Sequence, residues 1–183
     1  MYQLLVSGSV AGLLLQVLPI ACLTGAIYAV YRCARRRKRQ ITGGWGKEAL
    51  RWLFVCYLAG LVNLTLVPAN LWSAVWALVF TGHNGAELSF FSGGFNFVPS
   101  LLKYLAGELA LGSWVKTMLL GNFLMFLPMG VFLPLVFPTA CGKQALKIAA
   151  AVPLAIELFQ PVVGRSFDVD DLILNFFGVL LGY

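Results

Sequence analysis

The sequence predicts an all-α fold, a polytopic transmembrane bundle of about five helices that forms a single domain over residues 1–183. Composition is the first reason: 60% of the residues are hydrophobic, only 11% are charged, and mean hydropathy is +0.87. Soluble domains average about 45–50% apolar and about 25% charged residues. The second reason is a series of long apolar runs, several of them near the roughly 20 residues that a helix needs to cross hydrocarbon.

The first half of the chain contains two such runs. Leu4–Tyr31 follows an N-terminus without basic residues and is too long for the core of a signal peptide, so we interpret it as a retained span. The second span, Ala49–Val67, ends at Pro68. The apolar stretch Asn70–Phe80 is too short to cross separately, and it either extends the second span or lies along the interface.

The second half begins with a long connection, Thr81–Leu111, rich in Gly, Ser and Asn, which we expect to be partly re-entrant or amphipathic on the membrane surface. Trp114–Phe137 is the predicted third span and Ala145–Gln160 a short fourth. Leu172–Tyr183 has only 12 residues, which is too few to cross. Either the last helix stays in one leaflet or the natural chain continues.

Charge predicts the orientation. Residues 32–51 carry eight basic side chains and one acidic side chain, whereas the rest of the chain carries five basic and six acidic ones. Basic loops between apolar runs are typical of the cytoplasmic side, so residues 32–51 are predicted to be cytoplasmic and the N-terminus outside. A nucleic-acid-binding arm is the alternative, but membrane lipids are the simpler partner, and contact with anionic lipid fits this loop.

The C-terminal segment concentrates polar side chains beside apolar runs. Glu157 and Gln160 are three residues apart and project from one helix face. Asp168, Asp171 and Asn175 have the spacing of a second shared face. Charged side chains are costly in hydrocarbon unless they are paired or hydrated, and they commonly mark functional sites.

Arg165 is the only basic residue of this segment, and we expect it to pair with Glu157 or an aspartate. Four carboxylates against one arginine leave a negative surplus. Protonation of Glu157, a cation held by oxygen ligands or a cationic group on a substrate would relieve it. No cofactor is expected, and a carboxylate-bound divalent cation has only weak support. The four cysteines have no CxxC pair and no neighbouring histidine, so no zinc site is predicted.

The predicted orientation adds amides from other segments at the same depth. Asn96 lies in the outer connection, and Asn122 lies about 12 Å into the third span at 1.5 Å per residue. The predicted ligand-binding residues are Asn96, Asn122, Glu157, Gln160, Arg165, Asp168, Asp171 and Asn175.

Structural roles are the alternative for several of these residues. Asp168 has the position of a helix N-cap, and Asn122 and Asn175 could hold helices together by hydrogen bonds. We expect Asp170 and Lys103 to face water. No familiar catalytic motif is present, so the catalytic residue is unknown, with Glu157, Asp168 and Asp171 as the best candidates.

Four segments of the chain resemble VanZ-like membrane proteins. These are TLVP at 65–68, NFVPSL at 96–101, GNFLMFLPMGVFLPL at 121–135 and the series Glu157, Gln160, Arg165, Asp168, Asp171, Asn175, Gly178 and Gly182.

The resemblance implies a bacterial plasma-membrane protein linked to resistance against teicoplanin-type glycopeptides and lipoglycopeptides. These drugs act outside the cell on peptidoglycan precursors, the side on which the predicted orientation places the polar series. It leaves three hypotheses open. The first is a polar cavity in the outer leaflet that binds a lipid head group, a lipid-linked peptidoglycan precursor or a drug. The second is an enzyme that modifies a lipid-linked envelope component with Glu157 as acid or base, and the third is a lipid or ion transporter.

Overall fold

The computed structural model describes residues 10–68, 71–82, 90–107, 112–139 and 142–183. The chain divides into two compact units, Met1–Ser89 and Phe90–Tyr183. Within the described ranges there are seven α-helices, one 3-10 helix and two strands of two residues each. The all-α class is therefore confirmed. The expectation of one domain over residues 1–183 stays a prediction.

The first unit is built from three helices: α1 (Val10–Lys38), α2 (Trp45–Leu66) and α3 (Leu71–Thr81). Helices α1 and α2 pack against each other, and the indole of Trp52 donates to the carbonyl oxygen of Gly25 at 2.8 Å. A Cβ on Gly25 would lie 2.6 Å from Cys56 Sγ, so the glycine permits this close approach. Helix α2 ends at Leu66 and α3 begins at Leu71, so the segment after Pro68 is a separate helix and not an extension of the second span. Residues 1–9, where the predicted first span begins, lie outside the described part.

The basic segment is mostly helical, which corrects its interpretation as a loop. Helix α1 continues through Arg32 to Lys38, and α2 already begins at Trp45. Arginine and lysine are good helix formers, and positive charge in the last turn interacts favourably with the helix dipole. Only the short stretch 39–44 connects the two helices.

The second unit contains the remaining elements. In chain order they are β1 (Phe95–Asn96), α4 (Ser100–Leu105), α5 (Ser113–Val136), α6 (Lys143–Phe159), the 3-10 helix (Gln160–Val163), β2 (Phe167–Asp168) and α7 (Val169–Gly182).

Helices α5 and α7 form the closest helix pair of this unit. A Cβ on Gly178 would lie 2.4 Å from the carbonyl oxygen of Phe123, and one on Gly182 would lie 2.0 Å from that of Leu127. These contacts advance in the same direction along both helices, so the two helices run parallel. Small residues let helix backbones approach closely in membranes, where packing is a main source of association.

Four helices in the described residues are long and apolar enough to cross a membrane: Leu15–Lys38, Trp45–Leu66, Leu119–Val136 and Lys143–Val163. The prediction of a multi-pass membrane protein is confirmed at this level. Helix α7, with 14 residues, is not among them.

The connection before α5 folds against the C-terminal segment. Strand β1 pairs in parallel with β2, with Phe95 opposite Phe167 and Asn96 opposite Asp168. The amide of Phe91 also donates to the carbonyl oxygen of Val162 at 3.1 Å. The sequence pattern predicted no strands. That this connection is re-entrant or amphipathic stays a prediction.

Candidate functional site

A tight reversal after α6 brings the C-terminal polar residues together. Glu157 lies in the last turn of α6, and the 3-10 helix ends at Gly164 in the left-handed conformation, with φ at 77°. That conformation favours glycine because it has no Cβ. The chain then returns, so that the amide of Phe167 donates to the carbonyl oxygen of Gly94 at 2.9 Å. Asp168 follows as the N-cap of α7.

Glu157 is at the centre of the cluster and is fully buried, with 0% exposure. Its Oε2 accepts the backbone N–H of Asp168 at 3.1 Å. The amide of Gln160 donates to the same oxygen at 2.9 Å, in the orientation that lets it also donate to the carbonyl oxygen of Ser166 at 3.2 Å. Oε1 has no hydrogen-bond partner among the described residues. Oε2 of Glu157 therefore holds the turn together, and Oε1 has no donor among the described residues.

Asp168 connects the turn to the strand pair. Its Oδ1 accepts the N–H of Asp170 at 2.9 Å, and its Oδ2 accepts from Asn96 Nδ2 at 3.1 Å. The other end of the Asn96 amide accepts from Lys103 Nζ at 2.9 Å. The parallel pairing puts Asn96 beside Asp168, so the amide that precedes α4 donates a hydrogen bond to the carboxylate that precedes α7.

Asp170 and Lys103 are two residues of this network that sequence reasoning missed. Asp170 is half-buried and accepts the N–H of Ser100 at 2.8 Å, at the start of α4. Lys103 is half-buried and bonded to Asn96. The expectation that both simply face water is wrong, because a strand pair formed across a long connection draws them inward. The signal available in the sequence was the excess of four carboxylates over Arg165 in the C-terminal segment, since such an excess predicts a second cation nearby.

A second contact joins α5 to α7. The amide of Asn122 donates to Asp171 Oδ1. Burial, together with the charge of Asp168, raises the pKa of the Asp171 carboxyl to about 6. Burial also lowers the pKa of the Arg165 guanidinium, while the charges of Asp171 and Glu157 act in the opposite direction. Arg165 is thus within electrostatic reach of two carboxylates.

Asn175 lies one turn beyond Asp171 on α7. The residue is only 2% exposed, and its Oδ1 has no hydrogen-bond partner within the described ranges. With Glu157 Oε1, it is one of two buried acceptors in this unit that lack a partner within those ranges. Buried acceptors normally have partners, so each of these calls for a donor.

All eight predicted site residues lie in the second unit, and most of them contact one another. Glu157, Gln160, Asp168 and Asn96 form one network, and Asn122 bonds Asp171. No group of three or more His, Cys, Asp or Glu side chains in the described part of the chain could hold a metal ion. The carboxylates instead accept from amides and backbone N–H groups.

The VanZ/LLP1 family profile matches residues 54–183. The chain belongs to the VanZ/LLP1 family. The match includes the whole second unit, and thus every residue of the network. Membership identifies a membrane protein of a family associated with glycopeptide resistance. No curated protein and no solved structure gives a significant match to this VanZ/LLP1 chain.

Proposed function

We propose that the second unit of this VanZ/LLP1 protein binds the polar part of an envelope amphiphile at the outer face of the plasma membrane. The ligand is a lipid head group, a lipid-linked peptidoglycan precursor or the lipoglycopeptide drug itself. Binding would lower the drug's access to its target, which fits the family's association with glycopeptide resistance.

The buried carboxylate of Glu157 carries this proposal. A residue with only a structural duty towards Asp168 and Gln160 needs one acceptor oxygen, which an amide side chain would supply. Instead a full carboxylate is buried, and its Oε1 has no protein donor among the described residues. A buried carboxylate oxygen without a donor is costly, so a ligand donor at Oε1 is the function that we infer.

The charge balance indicates the chemistry of the ligand. Glu157, Asp168, Asp170 and Asp171 contribute four carboxylates near the site, and Arg165 and Lys103 contribute two cations. A cationic group, such as an amine on a glycopeptide or on a peptide stem, would offset the excess. Asn122 of α5 donates to Asp171 Oδ1 of α7, which supports a site shared by polar groups from two helices.

An envelope-modifying enzyme is the second candidate, and the same oxygen favours it. Oε1 of Glu157 has no donor among the described residues, so the carboxyl group could take up or release a proton as a general acid or base does. The hydroxyl of Ser166 accepts the N–H of Gly94 at 3.3 Å, and the chain's one histidine, His83, lies outside the described residues. A transporter ranks third.

The experiment measures binding of labelled teicoplanin and of a labelled lipid-linked peptidoglycan precursor to the purified protein in nanodiscs. Glu157→Gln retains the side-chain volume and an acceptor for Asp168 but removes the charge. We expect at least one of the two molecules to bind the wild type and to bind this variant about tenfold more weakly, the loss of one charge-assisted hydrogen bond.

Lys147→Gln is the matched control, because it also changes one charge on α6 but at an exposed position. It should bind as the wild type does. If neither labelled molecule binds the wild type while resistance in cells persists, the binding proposal is wrong. If Glu157→Gln binds normally but resistance is lost, the enzyme hypothesis takes its place.

A further inference from the structure

The first unit contains a cluster of three arginines around one carboxylate. Glu48 accepts from Arg32 Nε at 2.8 Å and from Arg51 Nη1 at 2.9 Å, and Arg36 Nη1 lies 3.8 Å from its Oε1. Three guanidinium groups share a single negative charge, so the cluster keeps a positive surplus. This surplus is independent of the acidic network in the second unit.

Arg36 is the unusual member, because a charged side chain is almost never so completely buried without full pairing. It is 6% exposed. Its Nη2 donates to the carbonyl oxygens of Ile41, at 3.4 Å, and of Gly43, and its guanidinium carbon lies 4.6 Å from the ring centre of Trp45. Its Nε has no acceptor within the described residues. A fixed guanidinium with an unused donor calls for an anion.

The buried arginine lines a cavity of about 370 Å³ between α1 and α2. Arg32 and Glu48 line the same cavity, and three aromatic side chains, Tyr28, Trp45 and Trp52, form much of the rest. Small-molecule sites commonly measure about 300–1,000 Å³ and combine apolar walls with a few convergent polar groups. Tryptophan is enriched where a membrane meets water.

We propose that this cavity is a binding site for an anionic phospholipid. The lipid phosphate pairs with the guanidinium groups of Arg32 and Arg36, which line the cavity, and the glycerol and first acyl carbons lie along Trp45 and Trp52. Charge complementarity favours this occupant, because three arginines against Glu48 attract a negative head group. The aromatic walls and the exposed apolar side chains of α1, such as Leu23, Ile27 and Val30, favour a lipid over a soluble anion.

The test titrates the full-length protein in neutral detergent with phosphatidylglycerol or with phosphatidylcholine of the same acyl chains, and measures retained lipid by native mass spectrometry. Phosphatidylglycerol should be retained at about tenfold lower concentration than phosphatidylcholine. Arg36→Gln should abolish this preference. Arg37→Gln removes the same charge at the adjacent, exposed position and should keep it.

A second variant covers the case that Arg36→Gln fails to fold. Cys33 is exposed and lines the cavity, so Cys33→Phe fills the space while every arginine is retained. It should also abolish the preference. The proposal is wrong if Cys33→Phe retains phosphatidylglycerol as the wild type does, or if Arg37→Gln loses as much as Arg36→Gln. It is equally wrong if glycerol phosphate competes as strongly as the lipid.

Discussion

Asp168 and Asp171 show how differently two aspartates three residues apart are used. Asp168 holds a helix start and a strand pair together through Asp170 N–H and Asn96, so the cap interpretation of the sequence is right for one of its oxygens. Asp171 faces the neighbouring helix and bonds Asn122. The spacing predicted that Asp171 shares a face with Asn175. It could not predict the partner, because Asn122 is 49 residues away.

The raised pKa of Asp171 predicts a dependence of stability on pH. Its folded-state pKa of about 6 lies above the ordinary value of 3.8. A carboxyl with a raised pKa stabilises the fold at low pH, and this contribution is lost as the pH rises through about 6. The melting temperature of the wild type should therefore fall relative to that of Asp171→Asn between pH 4 and pH 7. Thermal unfolding in detergent, monitored by circular dichroism, measures this difference in melting temperature. A difference that is constant across the window would contradict it.

At the scale of elements, the apolar runs predicted the long helices well because a membrane span must be apolar along its whole length. The third span was expected over Trp114–Phe137, and α5 is Ser113–Val136. Helix ends were predicted less well where basic residues continue a helix, as α1 does to Lys38. Strands β1 and β2 have two residues each, too few for any periodicity, so their pairing was missed.

The parallel packing of α5 on α7 predicts which glycine in α5 is essential. A Cβ on Gly130 would lie 2.1 Å from the carbonyl oxygen of Val179, so the backbones would have to separate. Gly130→Ala should lower the free energy of unfolding by about 1–3 kcal/mol, the usual cost of overpacking. Gly121→Ala is the matched control in the same helix, since its Cβ would meet nothing within 4 Å. Thermal unfolding in one detergent compares them, and equal melting temperatures would contradict this packing.

At the scale of the whole molecule, two charged features lie in different units. The arginine cluster belongs to the first unit and the acidic network to the second. The sequence predicted this asymmetry directly, because charge can be counted along the chain. It also predicted eight site residues, of which most contact one another. It did not predict that Lys103 belongs to the network, because Lys103 bonds Asn96 and only the strand pair places Asn96 beside Asp168.

The candidate spans and the basic segment together predict the membrane topology of two exposed residues, Arg37 and Ser166. Basic residues near span ends remain cytoplasmic, so Arg37 should be inside. Three of the candidate spans in the described residues lie between Arg37 and Ser166, so Ser166 should be outside. Both residues are exposed, and Arg37→Cys and Ser166→Cys can be made singly after the native cysteines are replaced by alanine. A membrane-impermeant maleimide applied to intact cells should label Ser166→Cys at once and Arg37→Cys only after permeabilisation. The reverse pattern would place the Glu157 network at the cytoplasmic face, and a ligand from outside the cell could then not be what it binds.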